Sequence, residues 1–96
     1  MNIKLEGNTV RITGLRVLDE ANGSELREQA LHTISSLRDR VEVDLSETTA
    51  VNGGGLGALV FLQKVCGNVS LLNPIAPVRQ VLELARMDRI FEIVQR

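Results

Sequence analysis

The chain has 96 residues, 44% of them hydrophobic and 24% charged, with a net charge of −1, which suits one small domain over residues 1–96 and no more. Both signs of charge are scattered, with no basic tract and no aromatic series, so direct nucleic-acid binding is excluded as the main role: a phosphate footprint needs clustered Lys and Arg. Cys66 and His32 are the sole cysteine and histidine; an internal disulfide is ruled out, no metal site is expected, and the single thiol fits a reducing compartment.

Residues 1–5 and 9–12 read as two short strands joined by the turn signal Glu6-Gly7-Asn8. The opening residues alternate and carry charges, unlike a signal peptide, and the longest near-apolar run, 53–62, is about half a membrane span. The expectation is a soluble cytoplasmic protein without membrane insertion. Residues 13–21 read as a connection. Asn22 with Glu25 resembles a capping box, with Ser24 as a rival cap, and Leu26, Ala30, Ile34 and Leu37 follow at helical spacing, joined by Thr33. Arg27, Glu28, His32 and Ser35 fall largely on the other side, and His32 reads as a solvated helix residue.

Residues 41–45 alternate as a strand, then a glycine loop leads into a second helix that Gly67-Asn68 stops. Residues 69–72 are another strand, Asn73-Pro74 breaks it, and Pro77 suits the first turn of a third helix with Val78, Val81, Leu82 and Ala85 inward. Residues 90–94 can form a last short strand. The order β-β-α-β-α-β-α-β implies an α/β fold with right-handed crossovers: a mixed, mostly parallel sheet with an antiparallel edge hairpin and three to four helices, unevenly covered.

On a wheel of 100° per residue, Ala58, Phe61, Leu62 and Val65 form the core face of the second helix, with Leu59 and Cys66 at its margin. Gln63 and Lys64 mark the water side, and Leu56 and Val60 share that arc. Two aliphatics there, beside a glycine loop, suggest a contact surface for a partner or for a second copy of the chain. Cys66 reads as a small core residue.

The loop "NGGGLGA", residues 52–58, precedes a helix N-terminus, where free N–H groups favour an anion. It is neither a G-x-x-x-x-G-K-[ST] loop nor more than a weak G-x-G-x-x-G match, since the acidic partner about twenty residues on is missing. A small nucleotide-binding protein is therefore the lesser reading, and no cofactor is expected. No positioned base, nucleophile or metal ligand accompanies the loop, so no catalytic residue is assigned and the chain is not read as an enzyme. The plainer reading is a tight strand-to-helix turn that needs positive φ or close backbone approach.

The stretches "VEVDLSETTAVNGGGLGALVFLQK", "LLNPIAPVRQVLELARMDRIFEI" and "SELREQAL" together resemble the STAS family of anti-sigma factor antagonists and sulfate-transporter tails over nearly the whole chain. The family pattern is a strand, "DLS", a short connection, "DSSGLG" and a helix, then in the last third a strand, a loop and V-x-x-x-L-x-x-x-x-L-x-x-x-F. Val78, Leu82 and Phe91 stand at or near those later positions, with Met87 and Ile90 among them.

In antagonists of this type the first serine of "DSSG" is phosphorylated by a kinase-type anti-sigma factor, and the phosphate separates the complex. By position, Asn52 matches the aspartate, Gly53 the phosphoacceptor serine, and Gly54 the second serine. Gly53 cannot take a phosphate, so the resemblance implies a non-phosphorylatable module held in an unphosphorylated-like state. Ser46, Thr48 and Thr49 are the nearby hydroxyls that an alternative phosphosite would use.

The expected partner surface comprises Asp19, Asn22, Ser24, Thr49, Asn52, Gly53, Gly54, Leu56 and Val60. Its glycines allow close approach, Leu56 and Val60 supply desolvation, and Asn22 and Asn52 supply hydrogen bonds. The expected partner is a kinase-type anti-sigma factor in partner-switching control of transcription. The alternative is the ATPase subunit of an ABC-type lipid transporter, which some STAS proteins resemble an accessory of.

Overall fold

The computed structural model describes residues 1–34 and 40–96. Ser35 and Leu37, read above as part of the first helix, lie outside the described residues. Strands β1 (Asn2–Glu6) and β2 (Thr9–Thr13) form an antiparallel hairpin. Gly7, at φ 61°, opens its two-residue turn, where a positive φ matches the twist of the flanking strands. The chain continues through β3 (Val17–Leu18), α1 (Glu20–Thr33), β4 (Arg40–Asp44), β5 (Ala50–Val51) and α2 (Gly53–Cys66). It ends with β6 (Val69–Leu72), α3 (Ala76–Leu84), a 3-10 turn at Met87–Arg89, and β7 (Glu92–Val94).

Five strands make one sheet in the order β1-β2-β4-β6-β7, and β3 pairs with β5 separately. The β2–β4, β4–β6 and β6–β7 pairs are parallel. The architecture is thus a mixed α/β fold with a mostly parallel sheet and an antiparallel edge hairpin, carrying three α-helices among the described residues.

Register gives the sheet two unlike faces. Ile3, Ile12, Val43, Leu71 and Ile93 align across one face, with Leu5, Val10, Val41 and Val69 in the next row. Leu5 apart, these rows share one apolar cluster with Leu26 and Ala30 of α1, Leu59 and Leu62 of α2, and Val78 and Leu82 of α3. Each fully buried Leu or Val there stabilises the fold by about 1.5–3 kcal/mol. The uneven covering expected from three helices takes this form: the helices share the apolar face.

The opposite face carries Lys4, Arg11, Glu42, Ser70 and Glu92 in one row. Glu42 is clamped there: Arg11 Nη2 donates to Oε1 at 2.9 Å, and Arg96 Nη2 donates to Oε2 at 2.9 Å. Burial opposes its ionisation, but the hydrogen bonds and charges of the two guanidiniums outweigh that and hold the carboxyl below its ordinary range. The same pair raises Arg11, first through the hydrogen bond to Glu42.

Three expectations need correction. The first helix starts earlier than Asn22: Asp19 is its N-cap, with Oδ1 accepting from Asn22 N at 2.9 Å. Asn22 and Ser24 lie inside the helix because a better-placed cap precedes them. The second helix is rotated somewhat from the expected wheel: Ala58 and Leu62 are buried as expected, but the face is completed by Gly55 and the margin residues Leu59 and Cys66. The small residues at 55 and 58 set this, since they admit the closest backbone approach. Phe61 and Val65 are half-buried instead, and the Arg27 guanidinium lies 5.6 Å from the Phe61 ring centroid. Leu56 and Val60 are half-buried against the core rather than held in water, and Gln63 is half-buried too.

Pro77 does sit in the first turn of α3, with Val78 and Leu82 buried, while Val81 and Ala85 are half-buried. His32 is exposed on α1 and Cys66 is buried, as the sequence suggested.

Candidate docking site

The site is assembled around four consecutive carbonyls at residues 15–18, the segment that runs into α1. Leu15 O accepts from Thr48 Oγ1 at 2.5 Å, and Arg16 O accepts from Thr49 N at 2.8 Å. Val17 O accepts from Asn22 Nδ2 at 2.8 Å, and Leu18 O accepts from Asn52 N at 3.1 Å. The two connections that precede α1 and α2 are thereby stitched into a short parallel pair, Val17 opposite Ala50 and Leu18 opposite Val51. Two-residue strands have no periodicity, so the sequence reading passed over both.

This stitching brings the N-termini of α1 and α2 together. Asp19 caps α1, and Asn52 caps α2 with Oδ1 accepting from Gly55 N at 3.2 Å. The three glycines of the loop are the first three residues of α2, and none has a positive φ. Positive φ is therefore not their reason. Close approach is the reason for two of them. A Cβ on Gly55 would lie 2.0 Å from Leu18 O, and one on Gly54 would lie 2.7 Å from Glu20 Cβ. Gly23 on α1 completes the seam, where an added Cβ would meet Ala58 Cβ at 3.0 Å and Gly54 O at 3.2 Å. Around Gly53 nothing lies within 4 Å.

The sequence-predicted residues divide accordingly. Asp19, Asn22, Asn52, Gly53 and Gly54 are gathered at the paired helix starts, and Thr49 lies in the adjoining stitched segment. Ser24, Thr49, Asn52, Gly53 and Gly54 are exposed; Asp19, Asn22, Leu56 and Val60 are half-buried. Asp19 Oδ1, Asn22 Nδ2 and Asn52 Oδ1 already make hydrogen bonds within the chain. Thr49 Oγ1 also donates to Arg16 O at 3.2 Å. Leu18, Glu20 and Gly23, which sequence reasoning missed, line the seam. Gly23 had a usable signal: a glycine inside a helical pattern often marks close packing.

Of the neighbouring hydroxyls, Thr48 is fully buried and bonded to Leu15 O, so it is not an accessible modification site. Ser46 is exposed, in a turn where its N–H donates to Asp44 Oδ1 at 2.9 Å. Among the described residues no group of His, Cys, Asp and Glu could hold a metal ion, and no helix is long and apolar enough to cross a membrane.

The exposed backbone around Gly53 can receive another surface without displacing a side chain. The asparagine cap already occupies one N–H of the helix start, which reduces what an anion would find there.

Comparison with known proteins bears on the family and the fold. The family model described as "Mlab, STAS domain" matches residues 1–95. A solved structure from Thermotoga maritima, described as an anti-sigma factor antagonist, superposes with a TM-score of 0.83 at 22% sequence identity, covering 99% of this chain and 85% of that one. At that identity the likeness speaks for the fold. With the family model spanning nearly every residue, the chain belongs to the STAS domain family.

Proposed function

We propose that this protein is a non-catalytic, cytoplasmic binding module of the anti-sigma factor antagonist type, docking its partner through the paired helix starts. The observation that carries this reading is the contrast within the glycine run. Gly54 and Gly55 are fixed by contact, whereas Gly53, at the place of the family's phosphoacceptor serine, faces open space. The platform keeps its shape and has no hydroxyl at that position, which supports a module held in the binding-competent, unphosphorylated-like state. Its partner on this reading is a kinase-type anti-sigma factor. Gly53→Asp places a carboxylate where a phosphate would sit and is expected to weaken that complex at least about tenfold, with Gly53→Ala close to the parent, by titration calorimetry. Equal affinity of parent and Gly53→Asp sinks the assignment of this loop as the interface.

A second reading is favoured by the same lack of a hydroxyl: a constitutive accessory subunit of an ABC-type lipid transporter, bound to its ATPase subunit. Such a subunit needs no phosphoswitch. Co-purification from the source cell decides between the two, since one predicts a kinase-like protein and the other an ABC ATPase. Nucleotide binding is the weakest reading, because Asn52 Oδ1 already takes the Gly55 N–H. Equilibrium titration with ATP, GTP and GDP should show no saturable binding tighter than about 10 μM.

A further inference from the structure

The five-stranded sheet ends in two edges of different length: β7 has three residues and β1 has five. The backbone phase of β1 follows from its neighbours. Asn8 O accepts from Arg40 N at 2.7 Å, so Asn8, Val10 and Ile12 turn their backbone groups toward β4. Thr9, Arg11 and Thr13 then turn theirs toward their hairpin partners Glu6, Lys4 and Asn2. Alternation leaves the N–H and C=O groups of Ile3 and Leu5 on the outer side of β1, where no further strand pairs among the described residues. Leu5 is also 46% exposed, although its side chain points to the apolar face.

An open edge with free backbone groups is a template for another strand. We propose that the occupant is a second copy of this chain, paired antiparallel along β1 with the two-fold axis at Leu5. Charge selects that register. Three symmetric registers keep the backbone groups of Ile3 and Leu5 in phase, centred on residue 3, 4 or 5. Centring on Lys4 sets that ammonium against its own copy, which is destabilising. Centring on Ile3 sets Lys4 opposite Asn2. Centring on Leu5 sets Lys4 opposite Glu6 of the second copy, and Glu6 opposite its Lys4, so two favourable pairs form.

Lys4 and Glu6 are both exposed, and neither takes part in the ion pairs of the described residues. Both point to the polar face of the sheet, while the two Leu5 side chains meet on the apolar face and leave water together. Two five-stranded sheets become one continuous sheet. No residue of the docking platform lies on β1, so the inference stands apart from the proposed function.

The test is sedimentation equilibrium of the full chain from about 1 to about 300 μM, with the dissociation constant expected near 10–100 μM because the contact is small. Lys4→Glu and Glu6→Lys each turn two attractive pairs into repulsive ones and should raise that constant about tenfold. The double variant Lys4→Glu/Glu6→Lys restores opposite charges and should return it to within about threefold of the parent. These side chains are exposed, and matched melting curves confirm that each variant is folded. A parent that stays monomeric throughout, single variants that dimerise like the parent, or a double variant no better than the singles overturns the proposal.

Discussion

Gly53 and Gly55 stand two residues apart at the start of one helix, yet they answer to different demands. Gly55 lies in a sealed seam, where the carbonyl of Leu18 occupies the space a side chain would need. Gly53 lies on an open lip with no atom within 4 Å of its missing Cβ. A run of identical residues therefore contains a packing constraint and a free position side by side. The lesson is that a glycine loop is read atom by atom: contact explains Gly54 and Gly55, and only Gly53 leaves room for an explanation at the level of function.

The largest expected effect comes from forcing the seam. Gly55→Ala should destabilise the fold by at least about 3 kcal/mol, because the clash is with backbone and cannot be relieved by a rotamer change. Urea denaturation checks this, and an unchanged midpoint would place α2 farther from β3 than described. A smaller effect of opposite sign is expected on the lip. Gly53→Ala should stabilise by about 0.5 kcal/mol, since alanine favours the helix and meets nothing. The two variants together measure how sharply the seam ends.

The smallest effect lies away from both, on the polar face of the sheet. Glu42 has a folded pKa below its unfolded value, so its contribution is present above about pH 4.3 and fades as pH falls through the lower folded value. Glu42→Gln should therefore melt about 3 °C below the parent at pH 7. The gap should narrow between pH 7 and pH 2, as the Glu42 carboxyl takes up its proton. A gap of the same size at both values would assign the loss to packing and not to the charge clamp.

Much of the fold was legible because the sequence repeats its instructions locally. The hairpin has a glycine turn, residues 69–72 form the strand as read, and Pro77 marks the start of α3. The family pattern around residues 44–64 also covers β4, the glycine run and α2 as they are found. What escaped notice depends on contacts distant in sequence. The pairing of Val17–Leu18 with Ala50–Val51 joins segments too short to show a period. The clamp on Glu42 draws Arg11 and Arg96 from opposite ends of the chain. The face of α2 was partly misplaced: Ala58 and Leu62 were read correctly, but hydrophobic weight points to Phe61 and Val65, whereas tight packing selects Gly55 and Leu59. Around the candidate site the internal hydrogen bonds of Asp19, Asn22 and Asn52 were not legible, since nothing in the spelling tells a cap from a contact.

Gln63 has one more consequence. Its Oε1 accepts from Val69 N at 3.0 Å while its Nε2 donates to Ile90 O at 3.4 Å. One planar amide thus reads a donor on one side and an acceptor on the other, which fixes its orientation and binds the far end of α2 to two later segments of the chain. Glutamate has the same outline but offers no donor when ionised. Spontaneous deamidation at this single position would therefore set a carboxylate oxygen against a carbonyl and act as an ageing lesion that loosens the C-terminal third.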